Sequence, residues 1–167
     1  YANISLETAG GGDAMMVWFD ERIEEGQPVK DIYAQRIGRD EDGNIITKWS
    51  TPEEGGIPIC TADGKQEGAK VTYYNQEWNV VVWEDSRHND LLSDMGVPST
   101  IDIYAQFIGV DGDKAEAYYE NGNPLVSNLC YDPTSCTPAF PLADQISPRV
   151  KASDGGAFVI WIDKRNA

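Results

Sequence analysis

The sequence predicts an all-β chain made of repeated four-stranded antiparallel units. Three observations carry this expectation. An ordered motif recurs three times, the apolar runs are short and lack helical periodicity, and clusters of Gly, Asp, Asn and Pro separate them. The motif is apolar-apolar-Trp-x-Asp-x-Arg. It reads Val17-Trp18-Phe19-Asp20-Glu21-Arg22 after Met16, Val82-Trp83-Glu84-Asp85-Ser86-Arg87 after Val81, and Ile160-Trp161-Ile162-Asp163-Lys164-Arg165 after Val159. A second element follows the first two copies, as Asp31-Ile32-Tyr33-Ala34-Gln35 and Asp102-Ile103-Tyr104-Ala105-Gln106. A third precedes the next Trp motif: Gly56-Ile57-Pro58-Ile59-Cys60 matches Gly122-Asn123-Pro124-Leu125-Val126, each followed by a glutamine, Gln66 or Gln145. The motif tryptophans are 65 and then 78 residues apart. The extra residues fall between matched elements, as expected of a repeat array.

Each unit reads as four strands in order. Strand one covers Asn3–Thr8, Ala69–Tyr74 and Pro148–Ala152. Tight turns follow at Gly10-Gly11-Gly12-Asp13, Asn75-Gln76-Glu77 and Asp154-Gly155-Gly156, where glycine admits the positive φ of a hairpin. Strand two is the Trp motif. Its unbroken apolar runs, such as Val80 to Trp83 and Phe158 to Ile162, predict burial on both faces. Strand three is Asp-Ile-Tyr-Ala-Gln. Strand four is expected around Ile45–Trp49 and Ala117–Tyr119. Blade one then spans about 1–66, blade two about 67–145, and a partial blade three about 146–167, or two and a half units.

Repeated four-stranded antiparallel units are the pattern of β-propeller blades. The residue order resembles the TolB/WD40-like (PD40) class of propeller repeat, and is more similar still to the Trp-Asp-x-Arg and Asp-Ile-Tyr-Ala-Gln repeats of large secreted bacterial proteins. The resemblance covers nearly the whole chain. It rests on Trp18, Asp20, Arg22, Asp31, Tyr33 and Gln35, on Trp83, Asp85, Arg87, Asp102, Tyr104 and Gln106, and on Trp161, Asp163 and Arg165. It implies an extracellular, cell-surface or periplasmic propeller module. The Ser-Pro-Asp-Gly turn usual in such blades is approached only at Ser153-Asp154-Gly155. Because propellers close with about four to eight blades, the chain reads as a segment of a longer propeller, or as a unit that packs against further blades of another chain.

Charge narrows the partners. Acidic residues number 28 against 13 basic ones, a net charge of −15, which disfavours nucleic acid and anionic membranes. No apolar run approaches the roughly 18 residues of a spanning helix. A single histidine, His88, excludes multi-histidine metal centres. Cys130 and Cys136 bracket a short proline-containing loop and could close a small disulfide ring or stand as two free thiols; Cys60 reads as an ordinary apolar strand residue.

Three groups of residues could carry chemistry. The Trp-x-Asp-x-Arg set reads as an internal bonding device, since a feature that recurs with the scaffold belongs to the scaffold. Asp40, Asp42 and Asn44 in one turn, and Asp111 and Asp113 in another, alternate oxygens as calcium ligands do, although the same residues are turn formers. Calcium is therefore the one cofactor considered. Ser86, His88, Asp85 and Asp90 superficially resemble a hydrolase triad, but no nucleophile elbow accompanies them. Glu84 and Asp85 lie on opposite faces of one strand and cannot converge on one substrate. The insert Leu91–Pro98 either offers a partner contact or folds back over its own blade. The expected function is a non-enzymatic module with a structural or interaction role toward a protein or glycan. The alternatives are a propeller glycoside hydrolase or lectin, and a self-assembling surface-layer or filament subunit.

Overall fold

A computed structural model describes residues 4–24, 27–94, 96, 100–126 and 143–165, excluding the side chains of 22–24, 27, 28 and 91. The described chain is all-β apart from one short helix, and its three sheets are antiparallel. The first sheet holds β1 (Ser5–Thr8), β2 (Ala14–Glu24), β3 (Gln27–Arg39), β4 (Ile45–Thr47) and β5 (Ile57–Cys60), with β4 pairing the last residues of β3 and β5 its middle. The second is a meander of β6 (Gln66–Tyr73), β7 (Trp78–Asp85), β8 (Asp102–Gly109) and β9 (Asn123–Val126). Helix α1 (Asn89–Asp94) lies between β7 and β8. The third sheet pairs β10 (Gln145–Ser153) with β11 (Gly156–Asp163). Gln66 and Gln145 each open a new sheet. Among the described residues no helix is long and apolar enough to cross a membrane.

Register places the sequence motifs side by side. Trp18 faces Tyr33 and Asp20 faces Asp31 across β2–β3; Trp83 faces Tyr104 and Asp85 faces Asp102 across β7–β8. The two Trp–Tyr pairs stack alike, with centroids 6.5 and 6.3 Å apart and planes inclined by 24° and 27°. A second equivalence was not visible in the motifs. β6 and β10 each shift register at the same point, between Glu67 and Lys70 and between Ile146 and Arg149. Gly68 and Ser147 occupy these bulges with φ of 68° and 57°, and Ser147 is the one non-glycine positive φ among the described residues.

The sheets stack, each with a front face carrying the motif Trp and a back face of alternate residues. The back of the first sheet buries Met15, Val17, Ile32 and Ala34 against the front of the second, which supplies Val71, Val81, Trp83 and Tyr104. The back of the second, with Val80, Val82 and Ala105, meets Val150, Ala157 and Val159 on the front of the third. Polar bonds cross both junctions. Asn79 Nδ2 donates to Thr8 O at 2.9 Å, Lys30 pairs with Glu67 at 3.1 Å, and Ala152 N donates to Thr72 Oγ1 at 3.3 Å.

Two expectations are corrected, and a third, left open between two outcomes, resolves to the folded-back one. The strand completing each four-stranded set is the Gly-x-Pro segment, β5 and β9, not Ile45–Trp49 and Ala117–Tyr119. Residues 45–47 form only the short β4, and 117–119 lie outside any strand. Pro58 and Pro124 made these segments look unlike strands, yet they lie on a sheet edge, where a missing N–H is tolerated. Second, β11 is not buried on both faces: Phe158, Ile160 and Ile162 are 68%, 67% and 55% exposed, because no described residue covers the back of the third sheet. Third, the insert after β7 is helical at Asn89–Asp94 and folds inward, with Leu92 fully buried. Its Met95, Val97 and Pro98 lie outside the described residues, as do Cys130 and Cys136 with their candidate disulfide.

Candidate functional site

The densest polar cluster is built around Asp85, where β7 of the second sheet meets β5 of the first. β-Strand alternation turns Trp83 and Asp85 to the same face, so the indole Nε1 donates to Asp85 Oδ2 at 2.8 Å. The chain turns sharply after Asp85, and Arg87 folds back. Its backbone N and Nε each donate to Asp85 Oδ1 at 2.9 Å, and Nη2 donates to Oδ2 at 2.5 Å. Arg87 Nη2 also donates to Asn121 O at 2.8 Å and lies 3.4 Å from Cys60 Sγ. The guanidinium rests over the Tyr104 ring at 3.9 Å, a cation–π contact in partly dry surroundings. One carboxylate thus ties strand two, strand three, the turn leading into β9 and the neighbouring sheet.

The electrostatics follow from burial. The Asp85 side chain is fully buried and that of Arg87 is 16% exposed. Burial works against the charge of Arg87, but the bonds to Asp85 outweigh it and raise its pKa. Burial, reinforced by the Asp85 charge, pushes the Cys60 thiol up to about 12. Burial also drives the Tyr104 phenol upward, against the pull of Arg87. Cys60 is therefore a protonated, shielded thiol rather than a nucleophile. It is also more than the plain apolar strand residue that the sequence suggests, since it is the first sheet's contribution to the cluster.

His88 joins the edge of this cluster, its Nδ1 3.5 Å from Asp102 Oδ2. It is mostly buried rather than solvated. No triad forms: His88 is turned to Asp102, while Ser86 Oγ donates to Lys65 O and accepts from Lys65 N. Glu84 points the other way, as strand alternation requires. Its Oε1 accepts from Ser147 N at 2.7 Å at the second junction, and burial raises its pKa.

The remaining motif residues do similar work. Gln35 Oε1 accepts from Arg36 N and Trp49 N, and its Nε2 donates to Ser50. Gln106 Oε1 accepts from Phe107 N, and its Nε2 donates to Tyr119 O. Each glutamine thus pins the connection leading to the last strand of its set. Gly56 and Gly122 start those strands with φ of 91° and 78°. A Cβ on Gly56 would sit 2.6 Å from Trp18 Cη2, and one on Gly122 would overlap Trp83 Cη2. The Gly-x-Pro spacing is thus the floor on which each motif Trp lies. In the third sheet Arg165 N donates to Asp163 Oδ1 at 2.9 Å and Nε to Oδ2 at 2.7 Å, a more exposed Asp–Arg pair that shares the backbone bond but not the two-oxygen fork of Asp85–Arg87. Asp20 and Asp31 also take part in interactions, and the Arg22 side chain is outside the described residues.

The acidic turns spend their oxygens locally. Asp40 Oδ1 accepts from Asp42 N at 3.0 Å and Asn44 N at 2.8 Å, and Oδ2 accepts from Asn44 Nδ2 at 3.0 Å. The Asn44 side chain leads in holding the Asp40 carboxyl below the usual range. Asp111 Oδ1 accepts from Asp113 N at 3.4 Å, and the turn between them lies close to Trp49, just after β4. Among the described residues no group of three or more His, Cys, Asp or Glu side chains converges as a metal site.

Sequence reasoning missed Cys60 and Asn121 as members of the Asp85 cluster. Both belong to the Gly-x-Pro match or lie beside it, and that match was the available signal. Compared with known protein families, curated proteins and solved structures, the chain has no match.

Proposed function

We propose that this chain is a non-enzymatic repeat module of β-propeller type, acting outside the cell or at its surface in a structural or interaction role. The observation that carries the reading is the Asp85 cluster. Both carboxylate oxygens of Asp85 are taken up by Trp83 and Arg87, and Arg87 in turn reaches Asn121 and approaches Cys60 of the neighbouring sheet. A motif committed to bonds within and between sheets is scaffold rather than a receptor for a substrate. Two further features support blades as the description. The second sheet runs strand one to strand four as an antiparallel meander, the first holds the equivalent strands plus β4, and the back of one sheet packs on the front of the next. The resemblance to secreted propeller repeats supports the location. The test is Asp85→Ala: it should unfold well below the wild type, and a variant that stays as stable as wild type while losing a binding activity would overturn the reading.

A second reading, binding of a glycan, draws on an open groove of about 920 Å³ at the turn end of the second sheet. Trp78 lies in it among Glu77, Asp111, Asp113, Glu116 and Glu120. An aromatic face bordered by carboxylates is suited to neutral sugars. Titration with neutral oligosaccharides, followed by tryptophan fluorescence and repeated on Trp78→Ala, tests it: a response lost in the variant supports the reading and no response overturns it.

A further inference from the structure

We infer that the back of the third sheet binds the front of the first sheet of a second copy, so that the chain associates head to tail. The inference rests on the repeat-module reading above and extends it to an interface. Inside the molecule the same contact is made twice. The odd-numbered β2 residues Met15 and Val17 lie on the second sheet, and their β7 counterparts Val80 and Val82 lie on the third. On β11 the residues at these positions are Phe158 and Ile160, with Ile162 next along the face. All three are more than half exposed. The other half of the contact lies at the opposite end of the stack, where the β1 edge is open while Met16 and Trp18 are half-buried and Tyr33 is buried. In the second sheet that half is Val71, Val81 and Trp83. In the first sheet the same positions are Leu6, Met16 and Trp18, and Leu6 is 65% exposed with Ile4 beside it at 56%.

The two ends are therefore the halves of one repeated interface, and each fits the other better than it fits itself. Exposed contiguous apolar surface of this kind marks association. A contact between different surfaces is heterologous, so it closes into a ring or continues as a filament. The repeated back-to-front stacking selects a second copy over an unrelated partner, because this chain already presents the complementary front.

The experiment is a concentration series of sedimentation velocity on the whole chain, at salt high enough to screen the net charge of −15. Ile160→Lys and Leu6→Lys are run beside it, alone and mixed. Both positions are exposed, so each variant should melt with the wild type. The wild type should reach at least twice the chain mass, and each variant alone should remain a monomer. The equimolar mixture should recover a dimer and nothing larger, since it holds one intact front and one intact back. A wild type that is monomeric throughout, association retained by either variant, or a mixture that stays monomeric would each overturn the inference; the second outcome would mean a contact between like faces. Melting of Asp85→Ala as stably as wild type would instead strike the scaffold reading, whatever the sedimentation gave.

Discussion

The second and third sheets carry the same motif in different surroundings. Trp83 is fully buried and Trp161 is 37% exposed. The side chains of Asp85 and Arg87 are 0% and 16% exposed, against 24% and 56% for Asp163 and Arg165. Yet in both the Arg backbone N donates to Oδ1 and the guanidinium folds back onto the same carboxylate, forked over both oxygens in Asp85 and on Oδ2 alone in Asp163. The local geometry thus belongs to the motif, and its burial belongs to strands three and four and to the neighbouring sheet. A motif that forms without those partners but is sheltered only by them contributes very different amounts to stability in its two settings.

The largest effect should come from Asp85→Ala. Removing one partner of a buried ion pair leaves a guanidinium and an indole N–H unpaired, at a cost of about 3–5 kcal/mol. Asp163→Ala breaks the corresponding pair in water and should leave the urea midpoint within error. Equal losses in the two variants would break the comparison.

Next comes the floor under the tryptophan. Gly122→Ala combines a collision with Trp83 and a positive φ, and should cost about 2–4 kcal/mol. Gly155→Ala, with φ +85° and nothing within 4 Å, keeps only the backbone strain of about 1 kcal/mol. Equilibrium unfolding of both variants measures the difference, which is the packing share.

The Cys60 thiol sharpens the contrast by pH. Its pKa is raised in the folded chain, so its stabilising share is complete below the ordinary thiol value of 9.0 and is lost as pH rises toward about 12. Val126 takes the equivalent place in the second sheet. Cys60→Val should therefore unfold with a shallower loss of stability above pH 9 than wild type. An identical pH slope would show that the thiol does not titrate with unfolding.

The smallest effect concerns the bulges. Ser147→Gly relieves a left-handed residue and should raise stability by up to about 1 kcal/mol, whereas Gly68→Ser should lower it. Chemical denaturation of the pair decides it, and a loss in Ser147→Gly would mean the serine side chain matters more than its backbone.

Much of this was legible in the sequence. Register between the Trp motif and Asp-Ile-Tyr-Ala-Gln follows from a period of two, so the Trp–Tyr and Asp–Asp pairings could be anticipated. The last strand of each set was not, because Pro58 and Pro124 obey the chemistry of an edge rather than that of a central strand. Helix α1 is too short to leave a period. The scaffold character of Asp85 could be argued from recurrence, but its ties to Cys60 and Asn121 could not. Those contacts are created by the stacking of sheets, and residues brought together from 25 and 34 or more positions away share no local pattern.

The matched fronts and backs also bear on how such a chain can lengthen. In most folds a duplicated segment must create a surface to dock on, and a new copy begins as a burden on the old one. Here the second sheet, which opens at Gln66, already docks by its front on one neighbour and by its back on another. A tandem duplication of the corresponding gene segment would insert a unit whose two neighbours are in place at once, so growth by whole repeats is open to this lineage without prior point mutation.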